Sequence, residues 1–230
     1  MIYYCMRKIN LEELKGELTE IEAKNAPKEL FIDGDESLLI EGRRVSVVGS
    51  RNVSPEGLAR TKSLVKMLVE LDFIIVSGLA KGVDTMAHKT AIEYKGKTIA
   101  VVGSPLDKVY PAENKELLDE IKRNHLAISQ FRPGIPIQGK NFPQRNKTMA
   151  LISDATIIVE ASEKSGTKHQ GWEALRLGRS LFILENITND PKVTWTTEMI
   201  SYGAEILNRY NFNTHLENVQ ALTRRKEFAF

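Results

Sequence analysis

From Arg44 onward, short apolar runs rich in β-branched residues alternate with stretches of helical period, and this alternation narrows the possible folds most. The runs are Val45–Val48, Phe73–Val76, Thr98–Val102, Leu126–Ser129, Thr156–Val159 and Leu181–Leu184. Between the first two, Leu58, Thr61, Leu64, Val65, Leu68 and Leu71 fall on one helical face. Ser54 stands as N-cap before Pro55, a good first-turn residue. Strands separated by helices need crossover connections. The expected class is therefore α/β, a doubly wound and mainly parallel sheet with helices on both faces. Runs as apolar as Ile74-Ile75-Val76 suit strands buried on both sides. A chain of 230 residues, 42% of them apolar, can bury such a core without disulfides or metal.

Three regions are expected: residues 1–40 as a short helical and extended segment, 41–210 as the α/β domain, and 211–230 as a C-terminal tail. In the first, Leu11, Leu14, Leu18 and Ile21 recur at helical spacing up to Pro27. Pro27 to Ile32 and Leu38-Leu39-Ile40 read as short extended pieces around an Asp33-Gly34 turn. This segment carries 5 Lys/Arg against 9 Asp/Glu, whereas the remaining residues carry 27 against 21. The basic surplus suits an anionic ligand without specifying one. Cys5 is the only cysteine, which excludes an intrachain disulfide and any multi-cysteine metal site and points to a reducing compartment. The histidines lack ligand spacing, and no cofactor is expected. No apolar run approaches the roughly 20 residues that span a bilayer, and Met1 to Asn10 has no signal-peptide pattern. A cytoplasmic protein without a membrane partner is expected.

In a doubly wound sheet, ligands sit outside the carboxyl ends of the strands. Those ends lead here into Gly49-Ser50-Arg51, Ser77-Gly78-Leu79-Ala80-Lys81-Gly82, Gly103-Ser104-Pro105 and Ser165-Gly166-Thr167. Glycine lets backbone amides approach a ligand, and hydroxyls donate to anionic oxygens. Taken singly each loop is an ordinary tight turn; four on one predicted edge favour a phosphate or phosphodiester. Asn141-Phe142-Pro143-Gln144-Arg145-Asn146-Lys147 adds to this. A helix begun at Pro143 would hold Arg145 in its first turn, against the helix dipole. Either an anionic ligand or a protein carboxylate would explain it. Two nucleotide motifs fail. Gly96-Lys97-Thr98 has Ala91 where a Walker loop needs its first glycine, and no G-x-G-x-x-G follows the first strand.

The order Gly49-Ser50-Arg51, Ser77-Gly78-Leu79-Ala80-Lys81-Gly82-Val83-Asp84, Ala87-His88, Thr98 to Gly103, Leu106-Asp107 and Tyr110-Pro111 resembles the DprA/Smf family. Phe142-Pro143-Gln144-Arg145-Asn146, Val159-Glu160-Ala161, Ser165-Gly166 and Gly178-Arg179 continue it, over about residues 40–210. The resemblance implies a Rossmann-like domain that binds single-stranded DNA without catalysis, forms a homodimer, and hands strands to RecA in natural transformation. The family often carries a helical domain before this core and a winged helix after it, for which this sequence leaves about 40 and about 20 residues. It also usually reads Ser-Gly-Ser-x-x-Thr-Ala where this chain has Ser165-Gly166-Thr167-Lys168-His169-Gln170-Gly171, and an acidic residue at Gln130.

The expected DNA- or phosphate-binding residues are Gly49, Ser50, Arg51, Ser77, Gly78, Lys81, Gly82, Gly103, Arg145, Asn146, Lys147, Ser165, Gly166 and Thr167. Arg51 and Arg145 are to grip phosphates, and no residue is assigned a catalytic role. Plainer roles stand beside these. His88 suits a structural position, Asp84 can cap a helix or pair with Arg51, and Trp172 and Phe142 serve packing as readily as base stacking. Lys81, Arg132, Lys140, Lys147, Lys164 and Lys168 are solvated charges or DNA-facing ones. Dimerisation is expected near residues 180–210, where Leu181 to Leu184 is apolar. The alternative function is a nucleotide sensor, in a defence system for example, or a nucleotide N-glycosidic hydrolase. The hydrolase requires a carboxylate where this chain has Gln170.

Overall fold

A computed structural model describes residues 6–12 and 17–221. Six strands lie within a residue or two of the expected runs: β3 (Arg43–Gly49), β4 (Phe73–Ser77), β5 (Thr98–Val101), β6 (Leu126–Ser129), β7 (Ala155–Glu160) and β8 (Ser180–Leu184). Three more join them: β1 (Arg7–Ile9), β2 (Leu30–Gly34) and β9 (Glu205–Leu207). All nine form one sheet in the order β1-β2-β6-β5-β4-β3-β7-β8-β9. Strands β3 to β9 pair in parallel, while β2 runs antiparallel to β6 and β1 antiparallel to β2. The chain winds outward from β3 through β6, then returns to lay β7 on the other side of β3. That reversal makes the carboxyl ends of β3 and β7 the topological switch point, where a crevice opens.

The described helices are α1 (Glu20–Asn25), α2 (Pro55–Glu70), α3 (Val83–Glu93), α4 (Lys115–Asn124), α5 (Asn141–Ile152), α6 (Thr167–Arg176), α7 (Glu185–Thr188), α8 (Trp195–Ser201) and α9 (Phe212–Glu217). Alternate strand residues feed two faces. Val45, Val47 and Ile75 pack with Leu64, Val65 and Leu68 of α2 and with Val83, Ala87 and Ala91 of α3. Val48, Ile74 and Val76 share the opposite layer with Met149 to Ile152 of α5 and with Met199 of α8. The central strands are therefore largely apolar because each of their faces has a helical layer. Ser54 caps α2 as expected, its hydroxyl accepting from Gly57 N–H at 2.9 Å.

Several sequence expectations are corrected. The stripe from Leu11 to Ile21 is not one helix: Leu11 is buried, Ile21 is 50% exposed, and Leu14 lies outside the described residues. Thr19 and Glu22 form a capping box that starts α1 afresh. Leu38-Leu39-Ile40 is not extended, because residues Glu36–Leu39 form a 3₁₀ turn capped by Asp35. Helix α5 starts at Asn141 and not at Pro143. The boundaries at 41 and 210 do not separate units, since β2 is built into the sheet and Phe212 and Leu216 of α9 are buried against it. Strand β8 lies between β7 and β9 with Leu181 to Ile183 fully buried, so it offers no surface for a partner. Exposed apolar surface near it belongs to Tyr202, Ile206 and Tyr210.

One buried charge had no sequence signal. Arg44 is 0% exposed and donates to the carbonyls of Ile152 and Leu39, both at 2.8 Å, while pairing with Asp154 at 3.5 Å. It ties the start of β3 to the end of α5.

Candidate functional site

At the switch point lies a cleft of about 770 Å³. Of the expected residues, Gly49, Ser50, Arg51, Arg145, Asn146, Ser165, Gly166 and Thr167 line it. The β3 and β7 loops are stitched together by Ser50 N–H donating to the Glu160 carbonyl at 2.8 Å, and Val83 N–H donates to the Ser50 carbonyl at 3.2 Å. Glu160 then accepts from Ser54 N–H at 2.8 Å and from its hydroxyl at 2.6 Å, holding the start of α2 to the same edge. On the opposite wall, α6 follows its N-cap Gly166; Ser165 Oγ accepts from the first helical amide, Thr167 N–H, at 3.2 Å and donates to Thr167 Oγ1 at 2.8 Å. The N-terminus of α6 and the hydroxyls of Ser50 and Thr167 make a polar rim suited to an anion.

The two arginines differ. Arg51 is exposed, makes no salt bridge among the described residues, and lies 5.3 Å from the Phe142 ring centre. Phe142 in turn packs against Tyr110, with ring centres 5.3 Å apart. Arg145 is only 5% exposed. Its Nη1 lies 3.7 Å from Asp84 Oδ2 and donates to the Val101 carbonyl at 3.3 Å. Asp84 accepts from Gly78 N–H at 3.2 Å and Ala80 N–H at 3.3 Å, so it organises the loop before α3. Burial pushes the Asp84 carboxyl up from its usual range and the Arg145 guanidinium down, each opposed by the charge of the other. The expected surface grip at Arg145 is thus corrected to a buried ion pair at the cleft wall, and Asp84 is its partner.

The remaining expected residues stand behind the cleft. Ser77 is buried and donates to the Val47 carbonyl at 2.7 Å. Gly78 is needed for packing, because a Cβ there would fall 1.1 Å from Arg145 Nη1. Gly82 has φ +76° and lies against the Ser50 and Arg51 carbonyls, a position for which a side chain has neither conformation nor room. Gly103 abuts the Phe142 ring, Lys81 pairs with Glu113 at 2.6 Å, and Lys147 is exposed outside the cleft. Arg132 approaches Glu29 at 4.0 Å. His88 is fully buried with Nδ1 2.7 Å from Thr98 Oγ1, and burial pushes its pKa down to about 3. Trp172 packs partly buried against the core.

Asn52, Gly139, Ser162, His169 and Gln170 also line the cleft without having been singled out as ligand residues. Helical period puts Gln170 one turn beyond Gly166 on α6, which is the signal that would have found it. Among the described residues no group of His, Cys, Asp and Glu has the arrangement of a metal site. No described helix is long and apolar enough to cross a membrane.

A doubly wound α/β domain whose switch-point crevice is lined by glycines, hydroxyls, a helix N-terminus and an exposed arginine is a Rossmann-like domain. The family model for DNA recombination-mediator protein A matches residues 11–219, and the chain belongs to that family. DNA processing protein DprA of Bacillus subtilis is 35% identical over 181 residues, 79% of this chain and 61% of that protein. DprA of Streptococcus pneumoniae is 38% identical over 186 residues, 81% of this chain and 65% of that protein. The chain therefore spans less than two thirds of the length of both relatives. The X-ray structure of S. pneumoniae DprA superposes with a TM-score of 0.81 at 31% identity, over 95% of this chain and 76% of that one. DprA from Helicobacter pylori, described for its single-stranded DNA binding mode, gives a TM-score of 0.79 at 28% identity over 95% and 99%.

Proposed function

We propose that the chain binds single-stranded DNA through its sugar–phosphate backbone at the switch-point cleft, as a non-enzymatic step in DNA uptake, processing or recombination. Arg51 carries this reading: an exposed guanidinium that makes no salt bridge among the described residues lines a cleft that also holds the hydroxyls of Ser50 and Thr167 and the N-terminus of α6. A phosphodiester supplies the acceptors and the negative charge that this arrangement lacks. Family membership and the single-stranded DNA binding described for the H. pylori relative support the same ligand. The carboxylate lining the cleft, Asp84, is committed to Arg145 and two backbone amides, and Glu173 pairs with Arg176. Cleavage of an N-glycosidic bond therefore lacks a free acid/base group, and binding is the better reading.

The partners proposed are a second copy of the chain, with Tyr202, Ile206 and Tyr210 as its exposed apolar contacts, and RecA as recipient of the strand in the cytoplasm. The deciding experiment is fluorescence anisotropy with a labelled 30-mer oligonucleotide, competed by nucleoside monophosphates. Binding of the oligomer that monophosphates displace only at great excess is expected. Failure to bind the oligomer, with tight binding of a monophosphate, refutes the reading.

A further inference from the structure

A second charged surface lies at the opposite end of the strands from the cleft. Helix α3 ends at Glu93, and Tyr94-Lys95-Gly96-Lys97 turns the chain into β5, with Thr98 in register with Ile75 of β4. Lys95 and Lys97 in this turn, and Lys89 one turn earlier on α3, are exposed and make no salt bridge among the described residues. Two nearby carboxylates are taken: Glu93 by Lys62 at 2.8 Å and Glu70 by Lys66 at 3.8 Å. Asp72, exposed before β4, pairs with none of the lysines. Tyr94 stands beside these cations, 37% exposed, with Lys66 Nζ 5.4 Å from its ring centre.

The turn is firmly held. Gly96 N–H donates to the Ala91 carbonyl at 2.8 Å and Lys95 N–H to the Ile92 carbonyl at 3.0 Å. Gly96 lies against α2, where a Cβ would meet Val69 Cγ2 at 2.5 Å. Lys95 holds φ +59°, the left-handed position after a helix that glycine ordinarily fills. A lysine there costs backbone energy, and within the fold its side chain gains only the attraction of the helix dipole. An anion outside the fold would offset that cost. Unpaired cations beside an exposed ring suit a single strand, whose phosphates meet the lysines while a base lies on the ring. A duplex keeps its base faces stacked inside and would use the lysines alone.

We propose that Lys89, Tyr94, Lys95 and Lys97 form a second site for single-stranded nucleic acid, separate from the cleft. The ligand class rests on the reading above; the site does not, since it shares no residue with the cleft. Its affinity comes from up to three phosphate contacts, so it should be weaker than the cleft at high salt and lose binding with a slope of about −2. A protein with both sites holds two strands at once, one at each end of its sheet.

The test counts strands per protein with a labelled thymidine oligomer of about 8 nucleotides, a length that one domain covers. At about 50 mM salt two binding events are expected, and at about 500 mM only the first should remain. The triple variant Lys89→Gln, Lys95→Gly, Lys97→Gln should lose the second event and keep the first, which also establishes that it is folded. Lys95→Gly alone should melt at or above the parent, because glycine takes φ +59° readily. Tyr94→Leu should weaken the second event about tenfold, the share of one stacked base. Arg51→Ala should do the reverse and weaken only the first. A single event in the parent at low salt, a second event that survives the triple variant, or a duplex bound there as well as the single strand overturns this site and leaves the cleft reading intact. A second event lost in the triple variant, with no event that Arg51→Ala weakens, overturns the cleft reading instead.

Discussion

Gly78→Ala should destabilise the fold far more than a loop substitution ordinarily does. The new Cβ would lie 1.1 Å from Arg145 Nη1 and 2.2 Å from its Cζ, so the guanidinium must leave its seat. The side chains of Arg145 and Asp84 are 6% and 7% exposed, and water does not replace what each loses. Removing one member of a buried pair costs about 3–5 kcal/mol. Protonation of Asp84, whose carboxyl burial already pushes up, relieves part of this and favours the lower end, about 3 kcal/mol. In a chain of this size each kcal/mol is worth about 2–4 °C, so the midpoint should fall by about 6–12 °C. Circular dichroism melts and urea titration measure it directly. Gly166→Ala is the control: its Cβ would meet nothing within 4 Å and its φ of −65° is ordinary, so its melt should stay within about 2 °C of the parent. A Gly78→Ala protein melting with that control would show that the guanidinium does not occupy the space over Gly78.

Arg51→Ala should weaken binding of the 30-mer by about tenfold and make the plot of log affinity against log salt shallower by about 0.7, with the melt nearly unmoved. An unchanged salt slope would remove Arg51 from phosphate contact. His88, held near pKa 3 against 6.5 when unfolded, binds its proton preferentially in the unfolded chain. Its contribution is complete above pH 6.5 and lost as pH falls toward 3, at about 1.4 kcal/mol per pH unit in that window. His88→Gln should flatten this slope in urea titrations, and an imidazole of His88 found protonated by NMR at pH 5 would contradict the burial argument. Arg44→Met should cost about 3–5 kcal/mol by breaking the buried pair with Asp154 and taking the donors from the Ile152 and Leu39 carbonyls. A single-variant loss below about 1 kcal/mol would mean that the pair is not buried as described.

The parallel core was legible because its signals are local. β3 to β8 are apolar on both faces, and the stripe from Leu58 to Leu68 has a helical period bounded by Ser54 and Pro55. The switch-point loops followed from the strand ends. What was not legible depends on distant partners. Strand β9 is three residues long with two of them exposed, and its pairing with β8 leaves no local pattern. Leu30 to Ile32 reads as extended, but nothing in those residues announces an antiparallel seat on β6. Thr19 and Glu22 carried a readable capping box that the apolar spacing from Leu11 to Ile21 masked. At the site, the loop glycines were legible as glycines but not by purpose. Gly78 and Gly103 make room for Arg145 and Phe142, contacts between segments far apart in the chain.

The buried pair also explains how the cleft tolerates an arginine placed against local preference. Helix α5 begins two residues earlier than its proline suggests, which carries Arg145 past the first turn, where the dipole would oppose a cation most. Asp84 sits in the first turn of α3, where the dipole favours a carboxylate, and faces that cation across the cleft wall. Each charge thus answers the other, and the wall is close to neutral. Of the two cations lining the cleft, Arg51 alone remains to meet a ligand's charge. A cleft so arranged should owe little of its affinity to ion release. Its salt dependence should correspond to about one or two phosphates, a slope near −0.7 to −1.4 on single strands. Isothermal or anisotropy titrations between 50 and 500 mM salt, on the order of one decade, would measure it. A slope several times steeper would place the principal DNA contacts on exposed lysines such as Lys147 and Lys164, outside the cleft, and the switch point would then orient the strand rather than hold it.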